Sequence, residues 1–227
     1  VRVFEIGRAF RKRAEGGVVP GFEQPLLLGG LCAGAAAPEQ WGLPARPVDF
    51  FDVKGDVEAL FPPDALRFEK TAHPALHPGR AAAVLQDGRR IGSIGELHPR
   101  WAQKYELGAA PVVFELDLDA VLATPMPEFR EVSRFPAVVR DIALVVPQDL
   151  SVRALRDTLE ARAPAIVRDV RLFDLYQGKG LEPGQKSLAF RVVMQDTSRT
   201  LEDREVEAAV QALVEAARRE FGAGLRG

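Results

Sequence analysis

The sequence predicts an α+β protein in which a mainly antiparallel sheet domain precedes a ferredoxin-like βαββαβ domain. Short strand patterns with a few helices cover positions 1–124, and a stretch with prolines and no periodicity follows at 125–133. Strand and helix patterns then follow one another in βαββαβ order over 134–227. Such a domain carries both helices on one face of its sheet, so strand parity identifies the residues of the open face.

The first domain, residues 1–124, owes its assignment to short alternating runs separated by turn signals. Asp87-Gly88 is typical of a hairpin, and Pro62-Pro63 ends a preceding helix. We expect strands at 1–10, 25–34, 81–86, 90–97 and 112–116, with a turn at 77–80, and helices at 49–61, 99–106 and 117–123. Because the chain begins without methionine inside a strand pattern, we also expect it to be a fragment of a longer protein.

The second domain, residues 134–227, shows clearer periodicity. Ser151 is placed to cap a helix that Pro164 stops, and a second helix has apolar residues at helical spacing up to about residue 221. The expected order is strand 141–146, helix 151–163, strand 167–177, hairpin loop 178–184, strand 186–195, helix 200–221 and a short edge strand at Leu225.

Composition limits the possible functions. Of 227 residues, 30 are Lys or Arg and 32 are Asp or Glu, so bulk charge would not draw the chain to nucleic acid and any such contact must be local. The single cysteine, Cys32, excludes an internal disulfide and favours a reducing, cytoplasmic location. No run approaches the ~20 apolar residues of a membrane span.

Parity on the second sheet predicts a site. Ile142, Leu144 and Val146 should face the helices, as should Phe173 and Leu175, which sends their neighbours, Leu172 included, outward. The resulting open face is small and mixed: Ala143, Asp174, Tyr176, Ser187, Ala189 and Arg191.

These outward residues suit a nucleobase. The Tyr176 ring could stack on a base, Asp174 could accept hydrogen bonds from a guanine edge, and Ala143 leaves room for close approach. The same residues are also compatible with an ordinary solvated sheet or with packing against the other domain.

Motifs along nearly the whole chain resemble one family. They lie at residues 4–10, 49–55, 77–81 and 91–99 in the first domain, and at 135–138, 140–143, 173–178, 186–189 and 199–201 in the second. In order and spacing they are similar to the C-terminal part of bacterial phenylalanyl-tRNA synthetase beta subunits. In that family a catalytic-like module of class II synthetase fold precedes a ferredoxin-fold anticodon-binding domain.

The resemblance implies an α2β2 ligase that joins phenylalanine to tRNA(Phe) with ATP and Mg²⁺, whose active site lies in the alpha subunit. It implies that the first domain packs on alpha without catalysis and that the second reads the first anticodon base, a guanine. The matching positions are Ala143, Asp174, Tyr176 and Ser187. Arg191, from parity, and Arg226, from its C-terminal position, complete the expected RNA-binding set.

No catalytic residue, metal ligand or cofactor site is expected in this chain. Residues 4–8 do not form the Phe-Arg-x-Glu motif of a working class II site, and the Gly-x-Gly-x-Gly-x-x-Arg motif is absent from the sequence. His73 and His77 are each followed by proline, so they cannot share a helix face as zinc ligands. Two alternatives remain: a stand-alone adenylating enzyme, and a protein-interaction module that uses the open sheet face without binding RNA.

Overall fold

The computed structural model describes residues 1–12, 19–123, 126 and 132–226. The chain divides into two compact units, Val1–Pro127 and Glu128–Gly227. Most of the predicted linker at 125–133 lies outside the described residues. Among the helices that the structure describes, none has the length and apolar character needed to cross a membrane.

The first unit is built on a six-stranded antiparallel sheet in the order β1-β4-β8-β7-β6-β5. Its strands are β1 (Arg2–Arg8), β2 (Arg11–Lys12), β3 (Phe22–Glu23), β4 (Leu26–Cys32), β5 (Leu66–Lys70), β6 (Leu76–Gln86), β7 (Arg89–Leu97) and β8 (Val112–Asp117). Its helices are α1 (Phe50–Glu58), α2 (Pro99–Lys104) and α3 (Leu118–Leu122). The small β2–β3 ladder lies at the tip of the β1–β4 hairpin.

Helix α1 begins at a reciprocal cap. The Asp49 side chain accepts from the backbone N–H of Asp52, and the Asp52 side chain accepts from the N–H of Asp49. Arg46 bonds both oxygens of Asp52, and these hydrogen bonds hold the pKa of that carboxyl well below its usual range. The cap directs Val53 and Val57 into the core under the sheet, where both are fully buried.

Two features of this unit differ from the sequence expectation. β5 was not predicted, although Leu66-Arg67-Phe68-Glu69-Lys70 alternates as an edge strand should. Residues 77–80, expected as a turn before a strand, lie within β6, whose register with β7 shifts between Leu76 and Ala81. The turn-forming residues 77–80 therefore cause an irregularity within a strand, similar to a β-bulge.

The second unit has the predicted βαββαβ order. Its elements are β9 (Val138–Pro147), α4 (Val152–Arg162), β10 (Val167–Tyr176), β11 (Gln185–Met194), α5 (Asp203–Phe221) and β12 (Gly224–Leu225). The strands pair antiparallel in the order β10-β11-β9-β12.

Both helices pack on one face of this sheet. In β9 and β11 every second side chain is buried against them, including Leu144, Leu188 and Phe190. α5 contributes Val206, Ala209, Leu213 and Ala217 at helical spacing. It ends at Gly222, which adopts φ +65° as a left-handed cap, and the chain turns into β12. The opposite face of the sheet carries the outward side chains.

Candidate nucleic-acid interface

Strand register arranges the outward side chains of the second unit in three rows. Residues directly opposite one another in antiparallel strands lie on the same face. The first row is Tyr176, Ser187, Val145 and Gly224; the second is Asp174, Ala189 and Ala143; the third is Arg171, Arg191 and Asp141. The backbone N–H of Arg226 donates to the carbonyl of Ala143 at 2.8 Å, which places Arg226 at the end of the second row.

A bulge in β10 changes the parity of two residues. Leu172 pairs with Phe190 and Asp174 pairs with the adjacent Ala189, so Phe173 has no partner in β11 and is the extra residue of the bulge. By register Leu172 therefore lies on the side of buried Phe190 and not on the open face as predicted, although it is 36% exposed at this edge strand. Phe173, predicted to face the helices, is 51% exposed and lies under the guanidinium of Arg191 on the open face.

Tyr176 and Arg226 meet across the face. Arg226 Cζ lies 4.4 Å from the ring centroid of Tyr176, although Tyr176 is in edge strand β10 and Arg226 follows β12 at the opposite edge of the sheet. The Tyr176 hydroxyl donates to the carbonyl of Lys179 at 3.0 Å, which fixes the ring orientation. The side chain of Arg226 therefore passes above the small residues between the two edges and covers the aromatic ring.

Arg191 is held more firmly. Its Nε and one terminal nitrogen donate to the two oxygens of Asp141, each at 2.9 Å, and its Cζ lies 5.1 Å from the Phe173 ring centroid. The hydrogen bond from Arg191 lowers the pKa of Asp141, and the carboxylate in turn raises the pKa of Arg191.

The structure brings the predicted site residues to one face at different depths. Tyr176 and Ser187 are cross-strand neighbours in the first row, and Asp174 and Ala143 lie in the second row with Ala189 between them. Ser187 is buried, whereas Asp174 is exposed. Together they form a shallow site with an aromatic wall, a carboxylate and a floor of small side chains.

Phe173 and Arg171 were missed as members of this face. The adjacent large apolar residues Leu172 and Phe173 were the available signal, since a regular strand with one buried face rarely places two in succession. Gly224 was also missed; a glycine at the end of the first row adds open space beside Val145.

The histidines of the first unit hold turns. In His73, His77 and His98 the Nδ1 atom accepts from the backbone N–H two residues later, at 3.2, 3.0 and 3.2 Å. Over the residues for which positions are given, no group of three or more His, Cys, Asp or Glu side chains is arranged to bind a metal ion.

Two family models match the chain. Residues 1–118 match the phenylalanyl tRNA synthetase beta chain CLM domain, and residues 133–226 match the ferredoxin-fold anticodon binding domain. Their division agrees with the two compact units of the structure.

Curated relatives match over the full length of the chain. It is 60% identical to the phenylalanine–tRNA ligase beta subunit of Aromatoleum aromaticum over 227 residues, and 58% identical to that of Dechloromonas aromatica over 226 residues. These alignments cover 100% of this chain but 29% and 28% of the two relatives, so the chain spans less than a third of their length. The matches at both units show that the chain belongs to the phenylalanyl-tRNA synthetase beta chain family.

Proposed function

We propose that the second unit binds the anticodon loop of tRNA(Phe) on its open face and reads the first anticodon base, a guanine. The observation that carries the proposal is the shallow site that joins Tyr176 and Ser187 to Asp174 and Ala143 in neighbouring rows. RNA loops are read in this way, by stacking of splayed-out bases and by hydrogen bonds to their edges.

Tyr176 supplies the stacking surface, although Arg226 covers it in the free chain. A cation–π contact at an exposed site contributes about 0.5–1 kcal/mol. Stacking of a base on an aromatic side chain contributes about 1–3 kcal/mol. A base can therefore replace the guanidinium on the ring with a net gain, and Arg226 can then contact the bound nucleotide from the opposite side of the site.

Asp174 supplies specificity. Guanine presents N–H donors on its Watson–Crick edge, and a carboxylate accepts two such bonds at once. Adenine lacks this paired donor pattern, so the same carboxylate would face an acceptor. Ala143 and Ala189 beside Asp174 keep the floor low enough for the base edge to approach.

The first unit has the features of a protein-binding module. β1 is an edge strand of the sheet, and Phe4 and Ile6 on it are 74% and 50% exposed. An apolar free edge of this kind is normally covered in the assembled protein. We assign this edge to the contact with the alpha subunit of an α2β2 ligase, where ATP, Mg²⁺ and the aminoacylation site belong to the alpha subunit.

Anticodon recognition is tested with stem-loops of tRNA(Phe) that carry guanine or adenine as the first anticodon base. Asp174→Asn should weaken binding of the guanine loop by about 1.5–3 kcal/mol, because a charged acceptor is lost, and should reduce the preference for guanine. Asp149→Asn, in the turn after β9, is the control and should bind as the parent does. Equal affinity of the parent chain for both loops would contradict the proposal.

The protein contact is tested by co-purification with the alpha subunit. Phe4→Ser should reduce the recovered complex, whereas Phe51→Ser, at an equally exposed 74% on α1, should not. Equal loss in both variants would exclude β1 as the specific contact. If the open sheet face bound protein instead, complex formation would depend on Tyr176 and stem-loop binding would be absent.

A further inference from the structure

The bulge in β10 creates a second aromatic position on the open face that the proposed guanine site does not use. Phe173 is the unpaired residue of that bulge, and half of its side chain is exposed. Bulges often re-aim a side chain beside a functional site. The Phe173 ring therefore adds a second π-surface to this face, next to Asp174.

Hydrogen bonds hold the side chain that lies over Phe173. Arg191 lies over the ring and is fixed by two hydrogen bonds to Asp141. These bonds use two of the five N–H donors of the guanidinium, so donors remain for a further acceptor. A rigid guanidinium beside an aromatic ring presents the groups that contact a nucleotide, namely hydrogen-bond donors and a stacking surface.

The hydrogen-bond donors of this region suit a phosphate-bearing occupant better than an apolar protein segment. Arg171 lies directly opposite Arg191 in the register, and like charges in such a pair repel each other. Each is held by its own carboxylate, Asp169 for Arg171 and Asp141 for Arg191. Because each arginine is already paired, a phosphate between them would be bound through the remaining N–H donors of the two guanidinium groups.

The distance along β10 suits successive nucleotides. Phe173 and Tyr176 are three positions apart, which corresponds to at most about 10 Å in an extended strand and less across a bulge. A base on Tyr176 thus leaves the adjoining nucleotide within reach of Phe173.

We propose that Phe173, Arg191 and Arg171 form a second nucleotide subsite, which stacks the base adjoining the first anticodon base and binds its phosphate. The inference rests on the proposed function, since it requires RNA on the same face. It extends that function from one base to two, and it assigns the bulge the role of supplying the second stacking surface.

The test combines protein variants with RNA that lacks single bases. Binding of the 227-residue chain to the tRNA(Phe) anticodon stem-loop is measured by fluorescence anisotropy. The loops are the intact one and two abasic versions, each missing one of the bases that adjoin the first anticodon base. Phe173→Ala should weaken binding of the intact loop by about 5- to 150-fold. It should have little effect on the abasic loop whose missing base occupies the subsite.

Phe173→Leu is the matched control, because it keeps an apolar side chain and removes the aromatic face. It should lose nearly as much affinity as Phe173→Ala if stacking is the cause. Since Phe173 is half exposed, both variants should melt close to the parent temperature. Equal effects of Phe173→Ala on the intact loop and both abasic loops, or no effect on any, would overturn the subsite.

The possible results distinguish a failure of the second subsite from a failure of the proposed anticodon binding. If the parent chain binds the loop, prefers guanine and depends on Tyr176 while Phe173 is neutral, only the second subsite is wrong. If the parent chain does not bind the stem-loop, both proposals fail. If Phe173→Ala leaves RNA affinity unchanged but lowers recovery of the alpha subunit, the occupant is protein and the subsite is again overturned.

Discussion

Two arginine–aromatic pairs on one sheet face are held in different ways. Arg226 lies 4.4 Å over Tyr176, and within the described part of the chain no carboxylate is bonded to its guanidinium. Arg191 lies 5.1 Å over Phe173 and is bonded to both oxygens of Asp141. The first pair can open without breaking an ion pair, whereas the second keeps its geometry. The first pair is therefore suited to exchange its cation for a base, and the second to receive a nucleotide beside a guanidinium that stays in place.

The largest expected effect on stability comes from truncating a core residue that lies beneath both pairs. Phe190 is fully buried on the helix side of β11, between the outward residues Ala189 and Arg191. Phe190→Ala should lower the free energy of unfolding of the second unit by about 3–5 kcal/mol, because it leaves a cavity in the core. Chemical denaturation measures this effect. An equal loss in exposed Phe173→Ala would show that the two faces do not differ as described.

A glycine next to Tyr176 offers a way to disturb one pair alone. A Cβ at Gly178 would lie 2.9 Å from the Tyr176 hydroxyl oxygen, so Gly178→Ala should shift the ring and break its bond to Lys179. Loss of that bond should cost about 0.5–1.5 kcal/mol, measured by thermal or chemical denaturation. Gly108→Ala, where a Cβ meets nothing within 4 Å, is the control. Unchanged NMR shifts of the Tyr176 ring would contradict the expected displacement.

Arg226→Ala should have a smaller effect on stability. Only the exposed cation–π contact is lost, which contributes about 0.5–1 kcal/mol. The ring resonances of Tyr176 should move, while those of Phe173 should stay in place. Movement of both rings would mean that the two pairs are coupled across the face.

The ion pair between Asp141 and Arg191 should affect mainly the pH dependence of stability. The folded-state pKa of Asp141 lies below its ordinary value because Arg191 donates to it. The stabilisation is therefore present above the unfolded pKa of about 3.9 and is lost as pH falls through the lower folded value. The melting temperatures of the parent and Asp141→Asn should differ near neutral pH and converge in acid, by a small amount because exposed ion pairs contribute little.

Glu205 provides the comparison for that titration. Arg199 donates to its carboxylate and lowers its pKa to about 2 at the start of α5. Glu205→Gln should flatten the acid limb of stability without moving the Phe173 ring, whereas Asp141→Asn should do both. A Phe173 ring that stays in place in Asp141→Asn would show that Arg191 does not need its carboxylate to remain there.

Sequence patterns predicted the second sheet where its strands are regular. β9 and β11 pair over ten successive positions, so alternation assigns Leu144 and Leu188 to one face and Ala143 and Ser187 to the other, although Ser187 is itself buried. β10 contains register shifts, and alternation failed at Leu172 and Phe173. A bulge depends on how two strands meet, which propensity along one strand does not encode.

Contacts between residues far apart in the sequence could not be predicted from local patterns either. The position of Arg226 over Tyr176 requires the sheet order, the turn after Gly222 and the length of the side chain together. In the first unit β5 carried a clear alternating pattern and was missed, although its apolar residues Leu66 and Phe68 pack in the core. The residues of β5 therefore carry enough signal to predict an edge strand.

The alternation along β11 has a consequence for how this surface can change over evolutionary time. Leu188 and Phe190 are constrained by the core, while Ala189 between them meets only the open face. Substitutions at outward positions that are exposed, such as Arg191, can therefore be made with little risk to the fold, whereas buried Ser187 allows less change. Specificity and foldability are thus nearly independent traits in this strand, so a lineage, or a designer, could alter which base is preferred while inheriting the same scaffold.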